Sequence, residues 1–131
     1  MKLKTYNLRV KDTLEDFDDS NESDQTVFYR ETSKSKKKLY KVRIYLEGRD
    51  LPYVKQVKYT LHSTFGKNRV KIVRRRPSNL DCGLLIWTWG IFTVQVEIED
   101  VKGRVTELDH YLTFGNQLQD SRVKIQKANL S

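Results

Sequence analysis

With 131 residues, one cysteine and two histidines, the chain is long enough to bury a core without cross-links, and it holds neither an internal disulfide nor a Cys/His set for structural zinc. A net charge of +8 with 32% charged residues describes a solvated surface that can attract phosphate polymers or an anionic membrane. The opening MKLKTYNLRVKD lacks the apolar run of a signal peptide, nowhere do about eighteen apolar residues follow one another, and a lone cysteine suits a reducing compartment; a cytoplasmic protein without a membrane span is expected.

Residues 5–10 alternate Tyr6, Leu8 and Val10 with polar neighbours and predict a first strand. Then come Asp12, Glu15, Asp16, Asp18, Asp19, Glu22 and Asp24 with no Lys or Arg between them, a composition that predicts a flexible loop. Setting those seven charges aside raises the balance of +8 to +15 for the remainder. Residues 26–30, TVFYR, read as a short strand or a sheet edge, and the Ser/Lys run after them reads as loop. Residues 1–35 are thus N-terminal strands with an acidic loop, part of or appended to a domain over residues 36–131.

From Tyr40 the pattern tightens. Tyr40, Val42, Ile44 and Leu46 alternate with Lys41, Arg43, Tyr45 and Glu47, a half-buried strand that Gly48 ends. Asp50, Leu51 and Pro52 turn the chain into a strand on Val57, Tyr59 and Leu61; residues 63–68 form a loop, and RVKIVR alternates again until Pro77. Val101, Lys102 and Gly103 make a hairpin turn. Tyr111 to Phe114 suggests a strand ending at Gly115, and Val123 and Ile125 a last short one. About seven to eight short antiparallel strands, with turn signals every ten residues or so, predict an all-β sandwich.

The most distinctive stretch is LLIWTWGIFTVQVEI, residues 84–98. Trp87 and Trp89 share one face of an extended chain, Gly90 follows, and Phe92, Val94, Val96 and Ile98 resume the alternation. Strand, glycine corner, strand is the reading. Trp87 is expected in the core; Trp89, at the corner, is either loop packing or one wall of a ligand slot whose backbone N–H groups are open to approach.

No G-x-S-x-G, P-loop, H-E-x-x-H or C-x-x-C occurs, and His62 and Ser63, adjacent on an extended chain, point to opposite faces and form no dyad. A non-enzymatic binding module without cofactor or metal is expected. The basic runs KSKKK at residues 34–38 and Arg74 to Arg76 are solvated loops or a polyanion contact.

LHSTF at residues 61–65, TWGIF at 88–92 and LDHYLTF at 108–114 together resemble the YEATS domain, an immunoglobulin-like sandwich that reads acylated lysine, and are most similar to its prokaryotic subgroup, which is associated with signalling and defence proteins. The resemblance implies that Phe65 and Trp89 sandwich the acyl amide, that the Thr64 hydroxyl bonds it, that His62 lines the pocket, and that the backbone N–H groups of Trp89 and Gly90 hold the acyl carbonyl. Tyr111 stands near the place of an acidic residue in the eukaryotic readers, and the loop before Tyr40, SKSKKK, replaces one that adds an aromatic there. The implied partner is an acylated protein or peptide. A neutral planar amide suits two π faces, one hydroxyl and a backbone donor, whereas burying an ammonium there is costly and only partly offset by cation–π attraction, which leaves a methyl-lysine cage open. Stacking and two hydrogen bonds predict an affinity on the order of 10 to several hundred micromolar. Two rival readings remain: a nucleic-acid or anionic-surface binder using the basic runs, and a structural interaction domain docking by an edge strand, its slot filled by its own side chains.

Overall fold

The computed structural model describes residues 7–31 and 36–128. Thr5 and Tyr6 of the expected first strand, and Lys34 and Ser35 of the basic run, lie outside the described residues. The strands are β1 (Arg9–Leu14), β2 (Gln25–Glu31), β3 (Lys38–Glu47), β4 (Val54–Thr60), β5 (Val70–Arg74), β6 (Leu84–Thr88), β7 (Thr93–Asp100), β8 (Val105–Tyr111) and β9 (Val123–Lys127). One sheet has the order β1-β3-β2-β9, with β6 also pairing with β3, and the other β5-β4-β7-β8. These are the two sheets of an immunoglobulin-like β-sandwich. Among the described residues helix is confined to short 3₁₀ turns at Leu51–Tyr53 and Ser63–Asn68 and to α1 (Phe114–Leu118). Two details differ from expectation. β9 pairs with β2 in parallel, so β2 is an interior strand and β9 the edge. β8 stops at Tyr111, and Phe114 opens α1 instead of closing a strand.

The chain divides into two compact units. The first takes the segment ending at Lys11 with Tyr45–Leu84 and Thr93–Tyr111. Its core comprises Leu46, Val57, Tyr59, Leu61, Val94, Val96 and Ile98, each alternating with exposed or half-buried neighbours. Burying each such aliphatic side chain contributes about 1.5 to 3 kcal/mol. On β4 the alternation slips between Val54 and Val57 because a bulge against β7 sets an extra residue in β4. The hairpin between β7 and β8 is built on Asp100, a buried carboxylate that accepts from Lys102 N at 2.8 Å, Arg104 N at 2.9 Å and Arg104 Nε at 2.9 Å.

Buried Tyr59 donates its hydroxyl to Cys82 O at 2.7 Å. Cys82 itself has a left-handed φ of 51° and is fully buried, and desolvation pushes its thiol up from 9.0 to about 11. A pKa raised by folding means that the folded state holds its proton longer than the unfolded state. The stabilisation is whole below pH 9 and is lost as pH rises through about 11. Relative to Cys82→Ser, the wild type is therefore expected to lose about 2 kcal/mol in urea unfolding between pH 8 and pH 11. Parallel pH curves for the two proteins would contradict a thiol kept neutral by burial.

The second unit takes Asp12–Ile44, Leu85–Phe92 and the segment from Leu112 onward. Its core is Leu14, Phe17, Val27, Tyr40, Val42, Ile44, Ile86, Leu112 and Phe114. The Tyr40 ring lies tilted against Tyr29 at 6.2 Å and Phe114 at 6.4 Å, within the usual range for aromatic pairs.

The acidic block, expected as a flexible loop, begins inside β1 and is knitted to its surroundings. Asp12 is buried and accepts from Thr113 and Phe114. The Gln25 amide donates to Asp18 O at 2.7 Å and Asn21 O at 3.0 Å. Arg122 donates to Asp19 O at 2.9 Å, Asn21 O at 2.8 Å and Asp120 Oδ2 at 2.8 Å, with its guanidinium 5.1 Å from the Phe17 ring. The Arg122 hydrogen bonds hold Asp120 down at about 2. Composition alone describes these carboxylates as solvated; the arginine that organises them is about a hundred residues away.

Candidate functional site

β4 ends at Thr60, and after Leu61 and His62 the six residues Ser63–Asn68 fold into the 3₁₀ turn that carries the expected side chains. His62 caps it: its Nδ1 accepts from Thr64 N at 3.2 Å and lies 3.0 Å from Thr64 Oγ1. A backbone N–H only donates, so Nδ1 is the lone-pair nitrogen and a neutral ring carries its proton on Nε2. The Thr64 hydroxyl then donates to the same Nδ1, which leaves its oxygen lone pairs for an incoming N–H. His62 and Thr64 are exposed and Phe65 is half-buried. Gly66, at φ 58° and ψ −130°, kinks the turn just behind Phe65.

Tyr111 closes β8 opposite Thr93 and is 64% exposed. Thr60 pairs with Gln95 and Gln95 with Asp109, so the sheet end that carries the His62–Thr64 turn also carries Tyr111. Within the first unit, the structure thus gathers His62, Thr64, Phe65 and Tyr111 at one end of one sheet.

Trp89 and Gly90 belong to the second unit. On β6 the buried positions are Ile86 and Thr88, so Leu85, Trp87 and Trp89 take the opposite parity. Trp87, expected in the core, is half-buried instead, with the Arg30 guanidinium 4.7 Å from its ring centroid. Apolar Ile86 has taken the inward face. Trp89 is 48% exposed, and Lys37 Nζ stands 3.7 Å from its ring centroid. The corner is organised by Thr88, whose buried hydroxyl donates to Gly90 O at 3.0 Å and accepts from Gly90 N at 3.4 Å. The second bond is long, so the Gly90 N–H gives up little in turning to another acceptor. A Cβ at Gly90 would meet nothing within 4 Å; an open approach, not backbone conformation, is what this glycine supplies.

Thr88 and Lys37 are the two residues that sequence reading left without a role here. Thr88 had a local signal, a hydroxyl two residues before a glycine corner. Lys37 had none, since its contact depends on the path of a loop. Of the Arg74–Arg76 run, Arg75 is committed to the chain, donating Nε to Leu80 O at 3.0 Å, while Arg74 and Arg76 are exposed. Among the described residues no group of three or more His, Cys, Asp or Glu is placed to hold a metal, and no helix is long and apolar enough to cross a membrane.

The two-sheet architecture is that of a YEATS-type immunoglobulin-like domain. The prokaryotic YEATS domain family matches residues 40–113, more than half of the chain, and the chain belongs to that family. Among solved structures it is similar to one described as "The Yaf9 YEATS domain Recognizing H3K122suc Peptide", with a TM-score of 0.54 at 15% identity, covering 89% of this chain and 82% of that one. At that identity the likeness is one of fold. No curated protein is similar enough to this chain to serve as a relative.

Proposed function

We propose that this chain is a non-enzymatic reader of acylated lysine, with Trp89 and Gly90 of the second unit and His62, Thr64, Phe65 and Tyr111 of the first as its candidate ligand contacts. The observation that carries the reading is the Trp89–Gly90 corner: an exposed indole face beside a sterically open glycine whose N–H is only loosely held. An acyl-lysine amide offers a flat neutral π system to the ring, a carbonyl to the N–H and its own N–H to the lone pairs of Thr64 Oγ1. The Yaf9 domain's peptide ligand supports an acylated peptide as the kind of partner, and a cytoplasmic sensor or adaptor role fits a chain of this type.

The test is titration of acetyl- and crotonyl-lysine peptides against wild type and Trp89→Ala. Wild type should bind on the order of 10 to several hundred micromolar, and Trp89→Ala should bind about tenfold more weakly or worse, having lost the stacking face. Equal affinity of the two proteins would count against the site. A trimethyl-lysine peptide binding as tightly as the acylated ones would reassign the ring to cations. Affinity that collapses with salt and ignores Trp89 would instead indicate polyanion binding through the basic runs.

A further inference from the structure

One face of the ring on which the proposed ligand would stack is met by the chain's own cation, while Trp89 as a whole stays 48% exposed. Lys37 Nζ, 3.7 Å from the Trp89 centroid, is well inside the reach of about 6 Å over which an ammonium is drawn to an indole face. Lys36 has φ 57°, a left-handed conformation that costs a non-glycine residue about 1 kcal/mol, and it bends the segment one residue before Lys37. The neighbouring cations do the same: Lys38 Nζ lies 4.9 Å from the Tyr29 centroid and Arg30 Cζ 4.7 Å from that of Trp87. Three ring faces of this unit are therefore met by cations from β2, from the residue just before β3 and from the first residue of β3.

We infer that Lys37 is a lid held in cis on one face of Trp89, a competitor that a ligand stacking on that face displaces. The identity of that ligand rests on the acyl-lysine reading; the lid itself does not. A site open only part of the time binds more weakly in proportion to its open fraction. An exposed cation–π contact has the strength to keep that face covered most of the time and yet to yield to a ligand that adds hydrogen bonds and apolar area. Removing the charge of Lys37 uncovers that face, whether by substitution or by acylation of its amine.

Two measurements test this, one without ligand. In a Trp87→Phe background Trp89 is the only tryptophan, since the chain has two, and acrylamide quenching reports access to its ring. Lys37→Gln should steepen the quenching slope and Lys37→Arg, which keeps a cation, should leave it unchanged; an unchanged slope for Lys37→Gln overturns the lid. In peptide titration, Lys37→Gln should bind an acetyl-lysine peptide about two- to fivefold more tightly than wild type, with Lys37→Arg close to wild type. Weaker or equal binding by Lys37→Gln, with its slope steepened, overturns the competition and makes Lys37 a ligand contact. A steepened slope with no acylated peptide bound by any variant upholds the lid and removes the acyl-lysine reading.

Discussion

Asp12→Ala is expected to cost the fold about 3 to 4 kcal/mol, far more than an acid in a run of acids ordinarily would. The carboxylate is 8% exposed and receives Thr113 N at 2.9 Å, Thr113 Oγ1 at 2.9 Å and Phe114 N at 2.8 Å. Removing it leaves the buried Phe114 N–H without its acceptor, at about 1 to 3 kcal/mol, and takes a charge-assisted partner from the N–H and hydroxyl of Thr113, an exposed residue. The strain falls on Phe114, whose buried ring packs against Tyr40. Asp12→Asn retains one acceptor oxygen and should lose about half as much. Urea unfolding midpoints at constant m-value measure both; an Asp12→Ala protein as stable as wild type would mean that Thr113 and Phe114 find other acceptors.

That residue also marks where sequence reading ends. Period-two alternation located β3, β4, β7 and the Trp-Gly corner, because a strand with one buried face must write that face into every second position. Tyr40, Val42, Ile44 and Leu46 are all buried. Alternation does not say which parity is buried when both carry large apolar groups, and in β6 the choice between Ile86 and Trp87 went to Ile86. Nor does it report partners far along the chain: Asp12 meets residues 101 and 102 positions away, and β9 joins β2 across a similar span. An acid-rich composition resembles a solvated loop whether or not an arginine such as Arg122 later threads it. In the candidate site the same divide holds. The His62–Thr64 contact is local, two residues apart, whereas the Lys37–Trp89 contact depends on a loop that composition describes only as basic.

Gly48→Ala should be the most damaging of the glycine substitutions in the first unit, at about 3 kcal/mol, and Gly103→Ala separates its causes. Both glycines have positive φ, 147° and 83°, so alanine at either meets a conformational cost of about 1 kcal/mol. At Gly103 nothing lies within 4 Å of an added Cβ, and that cost is the whole effect. At Gly48 the Cβ would run into the backbone carbonyl oxygen of Asn7, which cannot rotate aside as a side chain can. Asn7 is held there by donating its N–H to buried Asp50 Oδ2 at 2.7 Å and by accepting Asp50 N at 3.4 Å. The alanine must push this strap away, and loss of the charge-assisted bond, about 1.5 to 3 kcal/mol, adds to the backbone term. Hydrogen exchange at the Asn7 amide should accelerate in Gly48→Ala and remain slow in Gly103→Ala, with the urea midpoint falling further in the first. Equal losses at the two positions would show that backbone conformation, not the approach of Asn7, is what requires glycine where β3 ends.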